Sequence, residues 1–362
     1  MLRRPLASLA LTLALTVPAA PAASQIDSAS RAASYLHYFT GSGRDRMNRW
    51  LSRGSQFRDL IQGRLAEQGL PADLEYLPLI ESGYSNDAVS KAGAVGMWQF
   101  IPETARRYGL RVDRYVDERR DPLRATDAAA RHMKDLTREF GSPLLAAAAY
   151  NGGAGLVRRG LARLHSLDSL GTADSIAPLP DDFFRLRDRS LLPAETREYV
   201  PQLLAAAAIG ADPVRFGFSR PSGSSFAFDS VAVRRSIDLG AAAHALGLGP
   251  RAIEDLNPHF IRGRTPPGSS WLRVPVGLAD RLEEKLATLP TLPTLATRHE
   301  RIYTRVRVRR GETIDTIARR FGVAVEALRR TNALPRTYRL RTGQILWIRQ
   351  TRAESPTAPT AQ

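Results

Sequence analysis

Helix punctuation constrains this chain more than any other feature of its sequence. Proline opens and glycine closes one short apolar segment after another: Pro102 to Gly109, Asp121-Pro122 to Gly141, and Ser142-Pro143 to Asn151-Gly152-Gly153, with a further run after Pro193. Proline suits a first helical turn, where its missing N–H is not needed, and glycine suits the left-handed residue that ends a helix. Between these marks apolar side chains fall at helical spacing, as in Ala129, Met133, Leu136 and Phe140. Upstream, residues 28–66 read as amphipathic helix with Leu51, Phe57, Leu60, Ile61 and Leu65 as core contacts. Asp73 to Glu81 sets Leu74, Leu77 and Ile80 on one stripe, with Pro78 as an expected kink. Residues 28 to about 212 are therefore expected to form a mostly helical domain, broken by a glycine-rich loop or short hairpin over 83–101.

The last third changes period. Val306, Val308, Leu340, Leu346 and Ile348 read as strand residues flanking two short helices. An earlier stretch repeats the pattern. Gly247-Leu248, Ile253 and Leu256-Asn257 answer Gly322-Val323, Leu328 and Thr331-Asn332 at a constant offset, which slips by one residue before Leu272 and Val274 answer Leu346 and Ile348. Two related strand-helix-helix-strand modules follow from this repeat. The expected division is a leader over 1–23, an N-terminal helical segment over 24–66, a main helical domain over 67–212, a degenerate module over 226–276, a proline-marked linker over 277–301, a second module over 302–350 and a polar tail over 351–362.

Net charge is +16, and only three of the 52 basic residues are lysine. So basic a surface expects an anionic partner. Arg3 and Arg4, the apolar run Leu6 to Val17 and the small-x-small site Ala20-Pro21-Ala22 read as a secretory signal. Export directs the chain away from nucleic acid and towards the bacterial periplasm or cell surface. There is no cysteine, which excludes disulfides, thiol catalysis and attachment of a lipid to a cysteine. The six histidines lie too far apart for a metal-ligand pattern, and no cofactor is expected. Gly247 to Ala252 fits a dinucleotide fingerprint only formally, since no strand precedes it and Pro250 interrupts it.

Four elements in order suggest chemistry: Glu81-Ser82-Gly83-Tyr84; Ser90 with Gly96-Met97-Trp98-Gln99; Ala149-Tyr150-Asn151; and Glu195 with Tyr199. Taken singly, Glu81 is an ordinary helix-terminal glutamate, and Trp98 and Tyr150 are core. Together they outline a cleft. Glu81 stands where an apolar helix ends, and both burial and the negative end of a helix disfavour its ionised form. A neutral carboxyl can protonate a glycosidic oxygen. Gln99 and Asn151 could hydrogen-bond sugar hydroxyls or acetamido groups, and Trp98 could pack on a sugar face.

The run Gly69-Leu70-Pro71 through Glu75-Tyr76-Leu77-Pro78-Leu79-Ile80-Glu81-Ser82, with Gly96-Met97-Trp98-Gln99, resembles the lytic transglycosylases that carry a soluble-transglycosylase, goose-lysozyme-like domain. The resemblance covers about residues 30–210. It implies an α+β protein: a mainly α lysozyme-like catalytic domain followed by small βααβ LysM-type modules. It implies that Glu81 protonates the β-1,4 oxygen leaving N-acetylmuramic acid and then takes the proton of that sugar's C6 hydroxyl, giving a 1,6-anhydro product. It assigns Tyr150 to hydrogen-bond the catalytic carboxylate and Ser90 to orient the muramic N-acetyl group. Ser82, Gly96, Met97, Gln99, Asn151, Glu195 and Tyr199 are assigned to substrate binding. Met97-Trp98 stands where the family often has Leu-Met. The final module resembles LysM through Tyr303, Gly311-Glu312-Thr313-Ile314, Phe321-Gly322-Val323, Asn332 and Gly343-Gln344, which implies binding of N-acetylglucosamine-containing glycan. Peptidoglycan strands are the implied partner and a monomer the implied state. Two rival activities fit the same scaffold: a lysozyme-type hydrolase, for which Asp87 or Glu195 would have to serve as second carboxylate, and a non-catalytic wall-binding protein.

Overall fold

The predicted starts and stops at Asp121 and Gly141 and at Ser142 and Gly153 are visible as caps in the computed structural model, which describes residues 22–168, 182–221, 223, 225–295, 299–332, 334–335 and 338–353. Helices α1 (Ala22–Thr40), α2 (Arg44–Ser55) and α3 (Arg58–Glu67) come first. A 3-10 turn over Ala72–Tyr76 then runs into α4 (Leu77–Ser82). The single kinked helix expected over 73–81 is thus two elements. Pro78 stands in the first turn of α4, where its missing N–H is not needed, rather than inside a longer helix.

After the 83–101 loop come α5 (Pro102–Arg107), α6 (Pro122–Phe140), α7 (Pro143–Gly152), α8 (Ala154–Asp168), α9 (Asp182–Asp188) and α10 (Ala194–Ala211). Asp121 caps α6 by accepting from the N–H groups of Leu123 and Arg124 at 2.9 and 3.1 Å, and left-handed Gly141 ends it. In α7, Leu145 to Ala149 are all buried, since α6, α8 and α10 pack around it. A helix that is apolar on every side has to be buried, and its alanines let the neighbouring helices come close. Phe39, Met47, Leu51 and Phe57 share this same core. The N-terminal segment therefore packs into the same core as the helices that follow it.

The first small module consists of β1 (Asp229–Val233), α11 (Leu239–Ala245) and β2 (Ser270–Val274), with β1 and β2 antiparallel in the register Val231 opposite Leu272. Turns over 250–256 replace its second helix. The second module has the full βααβ order: β3 (His299–Arg307), α13 (Ile314–Phe321), α14 (Val325–Thr331) and β4 (Ile345–Ala353). The whole is α+β. The repeat read from the sequence rests on a shared device. The Asn257 amide donates to the carbonyls of Ile253 and Arg273 and accepts from the Arg273 N–H. Asn332 does the same with Leu328 and Trp347. In each copy one buried or half-buried amide ties the end of the helical segment to the returning strand.

The expected linker over 277–301 begins too early. Residues Ala279–Leu286 form α12, whose fully buried Leu282 packs on the first module. Its amphipathic pattern was obscured by the prolines that follow it. The predicted leader lies outside the described residues, except that Ala22 and Ala23 open α1. No helix among the described residues is long and apolar enough to cross a membrane.

The chain divides into two compact units, residues 1–292 and 293–362. In the first, the small module is fastened to the helical domain. The His259 carbonyl accepts from the Asp117 N–H at 2.9 Å and the Ile261 N–H donates to the Tyr115 carbonyl at 3.2 Å. At the centre, Asp121 turns its second oxygen to the Arg273 guanidinium at 2.6 Å, with the His259 ring beside it at 3.2 Å. Burial holds that imidazole down to about 4, so Arg273 is the cation that balances Asp121. Removing one partner of a buried ion pair leaves an uncompensated charge. Asp121→Asn, which keeps an oxygen for the α6 cap, should cost about 3–5 kcal/mol of stability. Asp121→Ala should cost about 1 kcal/mol more through the lost cap. Urea unfolding of the two variants beside the wild type would check both the size and the order.

Candidate active site

Glu81 lies in the last turn of α4, a helix of only six residues. Gly83 ends it in the left-handed conformation, its N–H bonded to the Leu79 carbonyl at 2.9 Å. A Cβ on Gly83 would collide with the Trp50 indole. The chain then turns sharply. Tyr84, itself at positive φ and buried, donates its hydroxyl to the Glu75 carbonyl at 2.9 Å. Ser82 donates to the Met97 carbonyl at 2.9 Å and accepts from the Ser85 N–H at 3.1 Å. Ser82 therefore stitches the end of α4 to the far side of the loop.

The half-buried Glu81 carboxyl accepts a hydrogen bond of 2.5 Å from the Tyr199 hydroxyl, which α10 supplies. Its pKa is raised from 4.5 to about 7, first by burial. The Tyr199 bond opposes the shift and the negative charge of Glu195, in the first turn of α10, adds to it. So short a helix as α4 contributes little dipole, and burial is the cause that outweighs the rest.

The loop from 83 to 101 carries four further assigned residues, Ser90, Gly96, Met97 and Gln99. Ser90 accepts from the Ala94 N–H at 3.0 Å and closes the turn over 90–94. Gly96 is at φ +85°, and a Cβ there would strike the Arg119 carbonyl oxygen. Gln99 adopts a positive φ of 49°, and its amide nitrogen donates to the Gly96 carbonyl at 2.7 Å. Short bridges pair Val95 with Val89 and with Phe100. Beneath the loop, buried Arg119 donates to the carbonyls of Gly93 and Phe100 at 3.0 and 3.1 Å and pairs with Asp117 at 2.7 Å.

Three expectations need correction. Tyr150 does not hydrogen-bond Glu81: its hydroxyl donates to the Trp98 carbonyl at 2.7 Å, and Tyr199 holds the carboxyl instead. Tyr150 still belongs to the surroundings, since the Glu81 charge adds to the burial that pushes its phenol well up. Trp98 cannot stack on a sugar, because it is fully buried with its indole N–H on the Thr126 hydroxyl at 2.9 Å. The Met97 side chain is buried too, and its carbonyl accepts the Ser82 bond. In both cases the backbone of the loop faces the site while the side chain fills the core. Asn151 accepts from the Thr196 hydroxyl at 2.9 Å, so α10 orients it as well as holding Glu81. The sequence gives Thr196 no role of its own and does not single out Arg119. Thr196 lies next to Glu195 in a run already singled out; nothing local marks Arg119.

Residues 60–169 match the transglycosylase SLT domain, 227–291 the LysM-like domain of lytic transglycosylase MltD, and 306–349 the LysM domain. The chain is 32% identical over 307 residues to membrane-bound lytic murein transglycosylase D of Escherichia coli K12, covering 82% of this chain and 64% of that one. It thus spans a little under two thirds of that relative's length. The peptidoglycan transglycosylase gp16 of Escherichia phage T7 is 39% identical over 104 residues, 28% of this chain and 8% of that one. Among solved structures, the 70 kDa soluble lytic transglycosylase of Escherichia coli aligns over 53% of this chain and 30% of its own, at 20% identity and a TM-score of 0.36.

Because the Tyr199 hydroxyl bonds to the ionised carboxylate, Tyr199→Phe should move the Glu81 pKa above about 7. Carboxyl-carbon NMR titration of the two proteins would read the shift, and an unchanged midpoint would refute the assignment. A carboxyl whose folded pKa lies above its unfolded 4.5 makes the fold lose stability as pH rises from about 4.5 to about 7. Glu81→Gln should remove that loss, so its melting temperature should exceed the wild type's at pH 8 and approach it at pH 4.

Proposed function

From a chain that carries a transglycosylase SLT domain followed by an MltD-type LysM-like module and a LysM domain, we infer a peptidoglycan lytic transglycosylase, a lyase that cleaves the β-1,4 bond between N-acetylmuramic acid and N-acetylglucosamine. The observation that carries this reading is one carboxyl, Glu81, with its pKa near 7 and a tyrosine hydroxyl at 2.5 Å.

A group with that pKa can give a proton and take one back at neutral pH. In the first half, neutral Glu81 protonates the glycosidic oxygen. The C1–O bond breaks, the N-acetylglucosamine leaves with the new hydroxyl, and positive charge develops at C1 of the muramic sugar. In the second half, the Glu81 carboxylate takes the proton of the C6 hydroxyl as O6 closes on C1. The proton lost at the start is regained, and no water is consumed. Tyr199 serves both halves. Its hydrogen bond is weaker to the neutral acid and stronger to the carboxylate that forms between them. Gln99 and Asn151, with Ser90 and Glu195 beside them, would contact the sugars, and Tyr150 would hold the loop by its bond to the Trp98 carbonyl.

A hydrolase would need a second carboxylate to hold water or attack C1. Asp87 is exposed and bound to Arg120 at 2.8 Å, which disfavours that role. Glu195 is exposed, and its charge raises the Glu81 pKa, as a bystander anion would. The basic surface suits the carboxylates of muropeptide stems. We place the enzyme in the periplasm, held to the wall by its LysM domain and its charge rather than by lipid, and acting as a monomer.

Digestion of purified sacculi with mass-spectrometric identification of the products tests the reaction. The expected ends are 1,6-anhydromuramic; reducing muramic ends would instead make the protein a hydrolase. Glu81→Gln should lower the rate by about 10²–10⁴, while its circular dichroism stays that of the wild type.

A further inference from the structure

A groove of about 740 Å³ lies where the helical domain meets the LysM-like module. Arg53, Asp87 and Arg120 line it from the helical domain, and Arg251, Glu254 and Asp255 line it from the module. Neither body makes the groove alone. The wall given by the module is fixed, because the backbone bonds of His259 and Ile261 and the buried Asp121–Arg273 pair hold that stretch in place.

The charges in the groove do not all cancel. Asp87 neutralises Arg120 at 2.8 Å, and Asp255 stands 3.7 Å from Arg251. Arg53 donates to the Gly83 carbonyl at 2.8 Å but meets no carboxylate among the described residues. Half-buried Glu254 forms no ion pair among them. Asn86, in the same wall, has a buried side-chain oxygen with no hydrogen-bond partner. An uncancelled cation on one wall and an uncancelled anion on the other complement a ligand that carries both signs. Uncharged sugars have no use for such a pair. The peptide stems of peptidoglycan bear both carboxylates and a free ammonium group, and they hang from the sugar on which Glu81 would act.

The reach agrees. Four steps along the chain take Glu81 to Ser85 at the rim of the groove, so the two Cα atoms are at most about 14 Å apart. An extended tetrapeptide stem spans about the same distance. We propose that this composite groove binds the zwitterionic peptide stem of the substrate, a carboxylate to Arg53 and the ammonium to Glu254. The degenerate module then serves the enzyme as one wall of a peptide subsite. The proposal rests on the transglycosylase reading for its substrate.

The test compares peptide-bearing glycan strands with the same strands after an amidase has removed the peptides, using the full chain. Wild type should release anhydro ends faster from the peptide-bearing strands. Glu254→Gln, which keeps shape and loses charge, should lower that preference about fivefold through KM, with the rate on stripped strands unmoved. Equal losses on both substrates, or none on either, would overturn the proposal. A second arm is independent of turnover. Titration of Glu81→Gln with a synthetic diaminopimelate-containing tetrapeptide should shift the backbone amide signals of Asn86 and Glu254, and adding Glu254→Gln should weaken that binding. No shift there would sink the groove even if anhydro ends form; shifts without anhydro ends would sink the reaction and leave the groove standing.

Discussion

The cleft depends on a buried guanidinium. A loop with glycines at 93 and 96 and a non-glycine residue at positive φ at 99 has little reason to keep one shape. Arg119 gives it one. Its side chain is 8% exposed, paired with an equally buried Asp117, and it donates to the loop carbonyls of Gly93 and Phe100. Desolvating such a pair costs more than its attraction alone returns, so its worth lies in the hydrogen bonds it also satisfies. Its own backbone carbonyl then sets the floor on which Gly96 lies, so close that no side chain fits between. Ser82 bonds to the Met97 carbonyl of that same loop, and Tyr150 to the Trp98 carbonyl. The loop positions assigned to sugar contact thus hang from a residue buried beneath them.

On that frame the chemistry needs little. Burial raises Glu81, the Tyr199 bond limits the rise, and the result lies near 7. Without the tyrosine the group would be a stronger base but slower to ionise; without burial it would be a carboxylate at neutral pH and could not act as an acid. A single side chain can serve as acid and then base only when these two influences come close to balance.

Much of this was legible in the sequence because it is local. Proline, serine and aspartate at helix starts and glycine at helix ends act through adjacent backbone groups, and α6 and α7 came out at their marks. The module repeat was legible through Asn257 and Asn332, which do the same work in both copies. The misreadings were of another kind. Trp98 looks like a sugar platform beside Gln99, and Tyr150 looks like the partner of Glu81. Which way each points is decided by contacts with residues 28 to 52 positions away, on Thr126 and on the Trp98 backbone. The role of Tyr199 likewise spans 118 positions. α12 was hidden for a simpler reason: its amphipathic pattern lasts only eight residues and runs straight into two conspicuous prolines.

The two modules share a scaffold and differ in what their loops are free to do. In the first, the segment after Asn257 is spent on the helical domain: Phe260 bridges to Val116, and the His259 and Ile261 backbones bond across. The counterpart segment in the second module keeps Tyr338 and Arg341 exposed. A loop that is fully engaged in docking cannot also close around a free ligand, but it can form the fixed side of a groove whose other side belongs to the helical domain. Losing the second helix of the first copy fits that exchange, since turns over 250–256 place Arg251, Glu254 and Asp255 on the groove while Ile253 still fills the core. A copy released from independent binding by its partner downstream can lose a helix without losing its place, because the Asn257 brace and the Asp121–Arg273 pair, not the helix, hold it there.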